Sequence, residues 1–326
     1  MKKLIFFVLF INFYTAAYNQ VIKGIISDKH TNSMISLASV YFNGTFAGTT
    51  SDEHGYFELD ISKHTSMPIT ISAIGYYSMT LTDFSESEVL MVYLTPKVFE
   101  LSEIVVSARF DPGNRKENLQ LFRTAFLGST ANAQKCKIMN ESDIIIDNQP
   151  DNDTLKAFAT NPILIENRAL GYKITYYLDK FEYYKKSKTI FFYGNIIFTE
   201  DATMIETKKE TIERRRKYAY LGSRMHFFRA LWTDDLASAG FTIKSPASDT
   251  LDYDEVVFTD MNGKKYLKHF ENLSIGFNKS VSSLVFLHGN IFFDKNGYFD
   301  PLAIGWKGEM AKQRIADWLP YEYAAE

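Results

Sequence analysis

The turn Ser51-Asp52-Glu53-His54-Gly55, with the alternation on its far side, constrains this chain more than any other segment. Gly at the end of such a turn supplies the positive φ that closes a hairpin. Beyond it Phe57, Leu59 and Ile61 alternate with Tyr56, Glu58 and Asp60. A period of two predicts a strand with Phe57, Leu59 and Ile61 facing a core. The same grammar extends both ways. Val21-Ile22 and Ile25-Ile26 flank Gly24, Leu37 to Gly44 alternates, and Gly44 and Gly48 bracket a short hairpin. Pro68 to Ala73, Ser78 to Leu81 and Val89 to Leu94 supply further short strands. Short strands between turn signals, without helical periodicity, predict a β-sandwich over residues 21–108.

Ahead of it stands a leader-like segment. Met1-Lys2-Lys3 is positive, Leu4 to Ile11 is unbroken apolar sequence, and Ala16-Ala17 is small. These are the parts of a signal peptide over residues 1–19, with cleavage expected between Ala17 and Gln20. The run is shorter than the about 20 residues that span a bilayer, and no later segment reaches that length. No Cys follows the leader, so a lipid anchor is not expected. The reading is an exported chain, soluble or peripherally attached.

The order VIKGIISD, ISLASVYFNGT, TTSDEHGYFELDI, SAIGYYS and LTPKVFELSEIVVSA resembles the carboxypeptidase-regulatory-like domain of Bacteroidetes envelope proteins. That resemblance implies a prealbumin-like, seven-stranded Greek-key sandwich that acts as an accessory module without catalytic activity. The exit Leu101–Val106 is similar to the connector that leads, in larger relatives, into a TonB-dependent receptor plug and barrel. A chain running to Glu326 is not expected to hold that barrel. The domain's name suggests a zinc peptidase, yet none of His30, His54, His64, His226, His269 or His288 begins H-x-x-E or H-E-x-x-H. No metal or cofactor is expected.

The remaining sequence is read as a linker at 109–116, from Asp111-Pro112-Gly113-Asn114, and an α+β domain at 117–326. The whole is mainly β with some α. Leu119, Phe122, Ala125 and Phe126 predict a helix stopped at Gly128. Tyr172, Ile174, Tyr176 and Leu178 predict one face of a long strand, answered by Thr189–Thr199. One helix is expected over Glu206–Trp232, polar in its first half and apolar in its second. Strands follow at Phe241–Lys244, Glu255–Thr259, Tyr266–Phe270, Ser274–Phe277, Leu284–Leu287 and Ile291–Asp294. Met310–Trp318 is read as a short helix.

Charge and cysteine content exclude some functions. Lys plus Arg number 36 and Asp plus Glu 39, a net −3, which gives no field to gather nucleic acid. Cys136 is the single cysteine, so no internal disulfide staples the chain. Asp151 and Asp153 alternate in a loop, but the rest of a Ca²⁺ loop is missing and turn-forming roles are preferred. Asp234-Asp235 and Asp252/Asp254 are dispersed carboxylates whose separation nothing fixes, and Ser223 lies outside a nucleophile elbow. No catalytic residue is assigned.

Two groups stand out as a candidate interaction surface. Arg214, Arg215, Arg216 and Lys217 could meet an anion, although a solvated helix face paired with Glu210 and Glu213 is preferred. Tyr177, Tyr183 and Tyr184, with Tyr176, could stack on sugar rings or on a protein, although core filling is preferred for at least half of them. The expected function is a non-catalytic binding or assembly module at the periplasm or outer membrane, with an envelope protein as partner and a glycan as a further ligand class. The alternative is a glycan or peptide hydrolase with its site in the C-terminal domain. Convergent carboxylates of raised pKa in a cleft would favour the hydrolase, and a flat apolar or aromatic patch the module.

Overall fold

A computed structural model describes residues 20–64, 67–82, 84, 88–97, 112–148, 153–269 and 271–325. The leader, the exit Leu101–Val106, the start of the expected linker and Asp151 lie outside the described residues.

The first unit is the expected sandwich. Its strands are β1 (Val21–Asp28), β2 (Ser39–Phe42), β3 (Gly48–Thr50), β4 (Tyr56–Asp60), β5 (Ile69–Ser72), β6 (Met79–Leu81) and β7 (Val89–Leu94). They form one sheet in the order β4-β1-β7 and another in the order β3-β2-β5-β6. Ile22, Ile26, Phe57, Leu59, Val92 and Leu94 meet Val40, Phe42, Ile69 and Ile71 in a single core. The Ser51–Gly55 turn is held by Asp52, whose carboxylate accepts from the His54 and Tyr56 amides at 2.9 Å, and Gly55 takes φ +74°. Gly24 stands opposite Phe57 in register. A Cβ there would lie 2.5 Å from the Phe57 ring, so the absence of a side chain lets that ring into the core.

The second unit opens with α1 (Pro112–Leu127), which corrects the linker: Pro112 begins the helix instead of preceding it. Proline suits a helix's first turn, where its missing N–H would have no partner. Phe122, Ala125 and Phe126 are buried, as the spacing predicts, and Gly128 follows at φ +102°. Next come β8 (Cys136–Ile138), β9 (Ile144–Asp147), β10 (Thr154–Ala159), β11 (Ile163–Asn167), β12 (Tyr172–Tyr184) and β13 (Thr189–Glu200). They make one antiparallel sheet. β13 pairs along β12, whose other edge is shared by β11 at one end and β10 at the other. Tyr172, Ile174, Tyr176 and Leu178 face the core under α1. Then the register slips: Leu178 pairs with Gly194 and Lys180 with Tyr193, leaving Asp179 as an extra residue. The bulge inverts the parity, so Phe181 becomes the next buried residue.

The third unit begins at the expected single helix 206–232, which is two: α2 (Ala202–Tyr220) and α3 (Arg224–Trp232). Gly222 breaks them at φ +74°, where a Cβ would lie 2.6 Å from the Phe277 ring. Ser223 then caps α3 by accepting from the His226 amide at 3.0 Å. The apolar α3 buries Phe227 and Phe228 in a separate core. Around it lie β14 (Phe241–Lys244), the one-turn α4 (Tyr253–Val256), β15 (Val257–Thr259), β16 (Lys265–Leu267), β17 (Leu273–Phe277), β18 (Ser280–Phe286), β19 (Ile291–Phe293) and β20 (Ile304–Gly308). Two small sheets result, β14-β17-β18-β20 and β15-β16-β19. The region read as one α+β domain therefore packs around two cores.

The short helix expected over 310–318 shrinks to one turn, α5 (Glu309–Lys312), and a 3₁₀ turn at Ile315–Asp317. The segment 314–323 becomes a strap. Ile315, Ala316, Leu319 and Tyr323 fill the second unit's core. Arg229 of α3 donates to the carbonyls of Tyr321 (3.0 Å), Tyr323 (2.7 Å) and Asn296 (2.9 Å). Asp317 accepts from Thr130 and Asn132, and the Tyr321 amide donates to Gly44 O of the sandwich at 2.9 Å.

Candidate functional site

Where the three units meet, the described residues leave a cleft of about 520 Å³. That lies within the ~300–1,000 Å³ usual for small-molecule sites. Its floor is the bulge. Asp179, displaced from the ladder, reaches toward the sandwich, where Lys97 Nζ stands 3.7 Å from its Oδ1. Lys97 also donates to Leu178 O at 3.3 Å, and Asn195 Nδ2 donates to Asp179 Oδ2 at 3.1 Å. Gly194 opposite makes the bulge feasible, since a Cβ there would lie 2.2 Å from Tyr177 O. Burial raises the Asp179 carboxyl above its usual range, and Lys97 only partly counters it. Burial likewise lowers Lys97, countered in part by Asp179. Desolvation outweighs pairing for both members, as is common when two charges leave water.

One wall is the outer face of β5 and β6. Thr70 and Thr80 are cross-strand partners, and Ser78, Thr80 and Thr82 follow at a period of two along the strand. Behind them runs a hydroxyl chain: Tyr41 to Ser72 at 2.9 Å and Ser72 to Ser78 at 2.8 Å. The opposite wall is aromatic. Tyr266, Phe292 and Tyr298 form a contiguous row, with ring centroids 5.7 and 6.1 Å apart, and Tyr193 stands 38% exposed at the rim.

The expected interaction residues are not gathered in one patch. Tyr177 lies near the cleft but is half-buried between units, sharing a hydrogen bond with Ser39 at 2.9 Å and stacking on Tyr41 at 6.1 Å. Tyr183 packs against the second core, and Tyr184 donates to Glu182 at 2.8 Å. Tyr176 is a core residue, 1% exposed. The basic run divides: Arg214 and Lys217 are exposed, Arg215 is half-buried and Arg216 is buried. Arg216 therefore departs from the solvated face expected of it. It lies 4.1 Å over the Tyr172 ring and donates to Leu170 O (2.9 Å), Glu200 (3.2 Å) and Glu213 (2.9 Å). Its pairing with Glu213 follows the i, i+3 spacing, while Glu200 and Leu170 lie outside the helix and left no local signal. Tyr172, under Arg216, and Tyr184 close opposite ends of β12, roughly 40 Å apart at ~3.3 Å per residue.

Other polar residues weighed for chemistry serve structure. Asp153 accepts from the Lys186 amide at 3.0 Å, Glu255 accepts from the Asp252 amide at 2.7 Å at the start of α4, and Asp235 bonds Ser238. Burial pushes the Cys136 thiol up to about 12, with Asp317 adding to the shift, so it is a poor nucleophile. Among the described residues no group of three or more His, Cys, Asp or Glu side chains could hold a metal, and no helix is long and apolar enough to cross a membrane.

A second surface lies on the sandwich's other sheet. Val89, Met91 and Tyr93 of the edge strand β7 are 54%, 54% and 45% exposed, on one face, and Ile25 is paired with Met91 on β1.

Residues 22–106 match the model of the CarboxypepD_reg-like domain. The sandwich is a CarboxypepD_reg-like domain. That module is non-catalytic and compatible with a binding or assembly role. The match stops before α1, so the two units beyond Pro112 carry no family assignment from it. No curated protein matches the chain. The regulatory-like domain contributes the hydroxyl wall and, behind the lining, Lys97 as the ion-pair partner of Asp179, while the unassigned units contribute Asp179 and the aromatic wall.

Proposed function

We propose that this chain is a non-catalytic binding protein of the periplasm or outer-membrane surface, with its site in the cleft between the regulatory-like domain and the two units behind it. The observation that carries this reading is the state of Asp179. It is the cleft carboxylate with a raised pKa, yet it is engaged by Lys97 and Asn195. A hydrolytic site needs such an acid free to exchange its proton with substrate. A carboxylate held by an amide on Oδ2 and by an ammonium 3.7 Å from Oδ1, with Oδ1 itself making no hydrogen bond among the described residues, suits accepting from a ligand better than cleaving one. The signal-peptide pattern of residues 1–19 supports the location.

The test is a pulldown by tagged residues 20–326 from native envelope, alongside Thr80→Trp, which fills the cleft from an exposed position. Envelope components captured by the wild type and lost by Thr80→Trp are the expected result. Identical capture by both would sink the cleft as the site.

A second reading, assembly with a protein partner, is favoured by the Val89/Met91/Tyr93 stripe. Among the described residues no strand pairs with the outer edge of β7, and an edge with alternate apolar side chains suits an added extended strand from another protein. Met91→Glu should abolish capture of such a partner, and leave the cleft's ligand bound.

A further inference from the structure

We infer that the cleft takes a neutral saccharide, its rings lying between the hydroxyl wall of β5–β6 and the aromatic row Tyr266–Phe292–Tyr298. The inference rests on the binding reading above and adds the ligand's chemistry.

Charge is the first argument. Two carboxylates line the cleft, Asp179 and Asp300; Lys264 lines it too, and Lys97, outside the lining, offsets Asp179 from 3.7 Å. The four formal charges cancel, so the site has no net attraction for a phosphate, a nucleic acid or a polycation. A neutral, polar ligand fits that balance.

The shape of the polarity is the second. A pyranose has C–H faces and a rim of hydroxyls. The cleft presents the complement: flat rings with apolar faces on one side, and on the other side-chain hydroxyls at a strand's two-residue repeat. A peptide adding itself to the sheet would use the backbone edge of β6, whereas the cleft is lined by Ser78, Thr80 and Thr82 on one face of that strand.

The third is unspent hydrogen-bonding capacity. Asn43, which lines the cleft, uses its Oδ1 to accept from the Ile196 amide at 2.8 Å, so its NH₂ is the group left to donate. Among the described residues the Thr80 hydroxyl, the Tyr193 hydroxyl and the Lys264 ammonium have no partner. Asp300 accepts from the Leu302 amide through Oδ1 alone, at 2.9 Å. A mixed set of donors and acceptors answers vicinal hydroxyls, each of which is both. A site built this way also rejects apolar ligands, which would leave those groups desolvated and unpaired.

The test is calorimetric titration of residues 20–326 with neutral trisaccharides of glucose, mannose, xylose and N-acetylglucosamine. At least one should bind in the micromolar-to-millimolar range. Tyr193→Ala should weaken it by about three- to tenfold, the worth of one stacked ring. Thr80→Trp should abolish binding at an unchanged melting temperature, which separates a blocked cleft from a damaged fold. Failure of all four sugars to bind at about 10 mM, or equal binding by Thr80→Trp, would overturn the inference. If the sugars fail while Thr80→Trp still loses envelope capture, the saccharide assignment falls and the binding reading stands. If Thr80→Trp changes neither, both fall.

Discussion

The regulatory-like domain and the region after Pro112 are stabilised in opposite ways. The sandwich draws its core from its own strands, with partners inside residues 21–94: Gly24 under Phe57, Asp52 under Tyr56. The later region is closed from a distance. Its second core is filled by 314–323, and the bonds that hold this strap run from Arg229 to Tyr321 and Tyr323, from Thr130 to Asp317 and from Asn167 to Ala316. One part builds its core from its own strands, although Tyr298 and Tyr321 pack on it and Gly44, Asn43 and Ser39 bond it to the rest. The other is two cores made interdependent by a single returning segment.

Arg229→Met tests that contrast most severely. It leaves three carbonyls without their charged donor, at a cost of about 3 kcal/mol or more. Hydrogen exchange should show protection lost through residues 112–325 while β1 and β5 keep theirs. Equal loss in the sandwich would make the chain one cooperative unit.

Gly24→Ala is the reciprocal experiment. Its Cβ would meet the Phe57 ring at 2.5 Å and Leu90 O at 2.7 Å, so about 2 kcal/mol should be lost through overpacking. Exchange should rise in β1, β4 and β7 and stay unchanged in the α3 core.

A smaller effect probes the seam between the regions. The folded state raises the Asp179 carboxyl above its usual 3.8, so the folded chain takes up this proton at a higher pH than the unfolded chain does. The group's destabilising contribution is full above the folded pKa and is relieved as pH falls through it toward 3.8. Urea midpoints should therefore show wild type gaining on Asp179→Asn as pH drops through that window. A gap constant with pH would remove the desolvated carboxylate from the account.

The smallest effect is chemical. With its thiol pushed up to about 12, Cys136 should react with iodoacetamide at pH 8 at least about tenfold more slowly than a free thiol. Reaction as fast as a free thiol would mean that the second core opens readily.

The sandwich was legible because its information is local. Period-two alternation placed Phe57, Leu59 and Ile61 inside, and the turn at Ser51–Gly55 is set by residues within it. The α1 stripe and the β12–β13 hairpin were legible for the same reason. The cleft was not, because Lys97 and Asp179, or Thr80 and Tyr193, meet only through tertiary packing. Alternation along β12 predicted its first half, and the bulge left as traces Phe181 out of phase and Gly194 inside the partner strand. The break between α2 and α3 was written plainly in Leu221-Gly222-Ser223, a positive-φ residue followed by a cap, yet the continuous helical composition on both sides obscured it. Arg216 looked like its exposed neighbours because nothing in a run of four basic residues says which one turns inward onto Tyr172.

The strap also has a consequence in time. Ribosomes release the chain from its N-terminus at about 5–20 residues per second. The sandwich is complete at Leu94, but Ile315, Leu319 and Tyr323 emerge only after every strand they cover. For about 6–25 seconds at that rate, the time from Glu200 to the strap, the second sheet stands with part of its aromatic floor bare, while the first domain is already finished. A nascent chain of this architecture is most vulnerable to sticking late in its synthesis, so a factor that shields it would act on the long β12–β13 hairpin and have little to do at the sandwich.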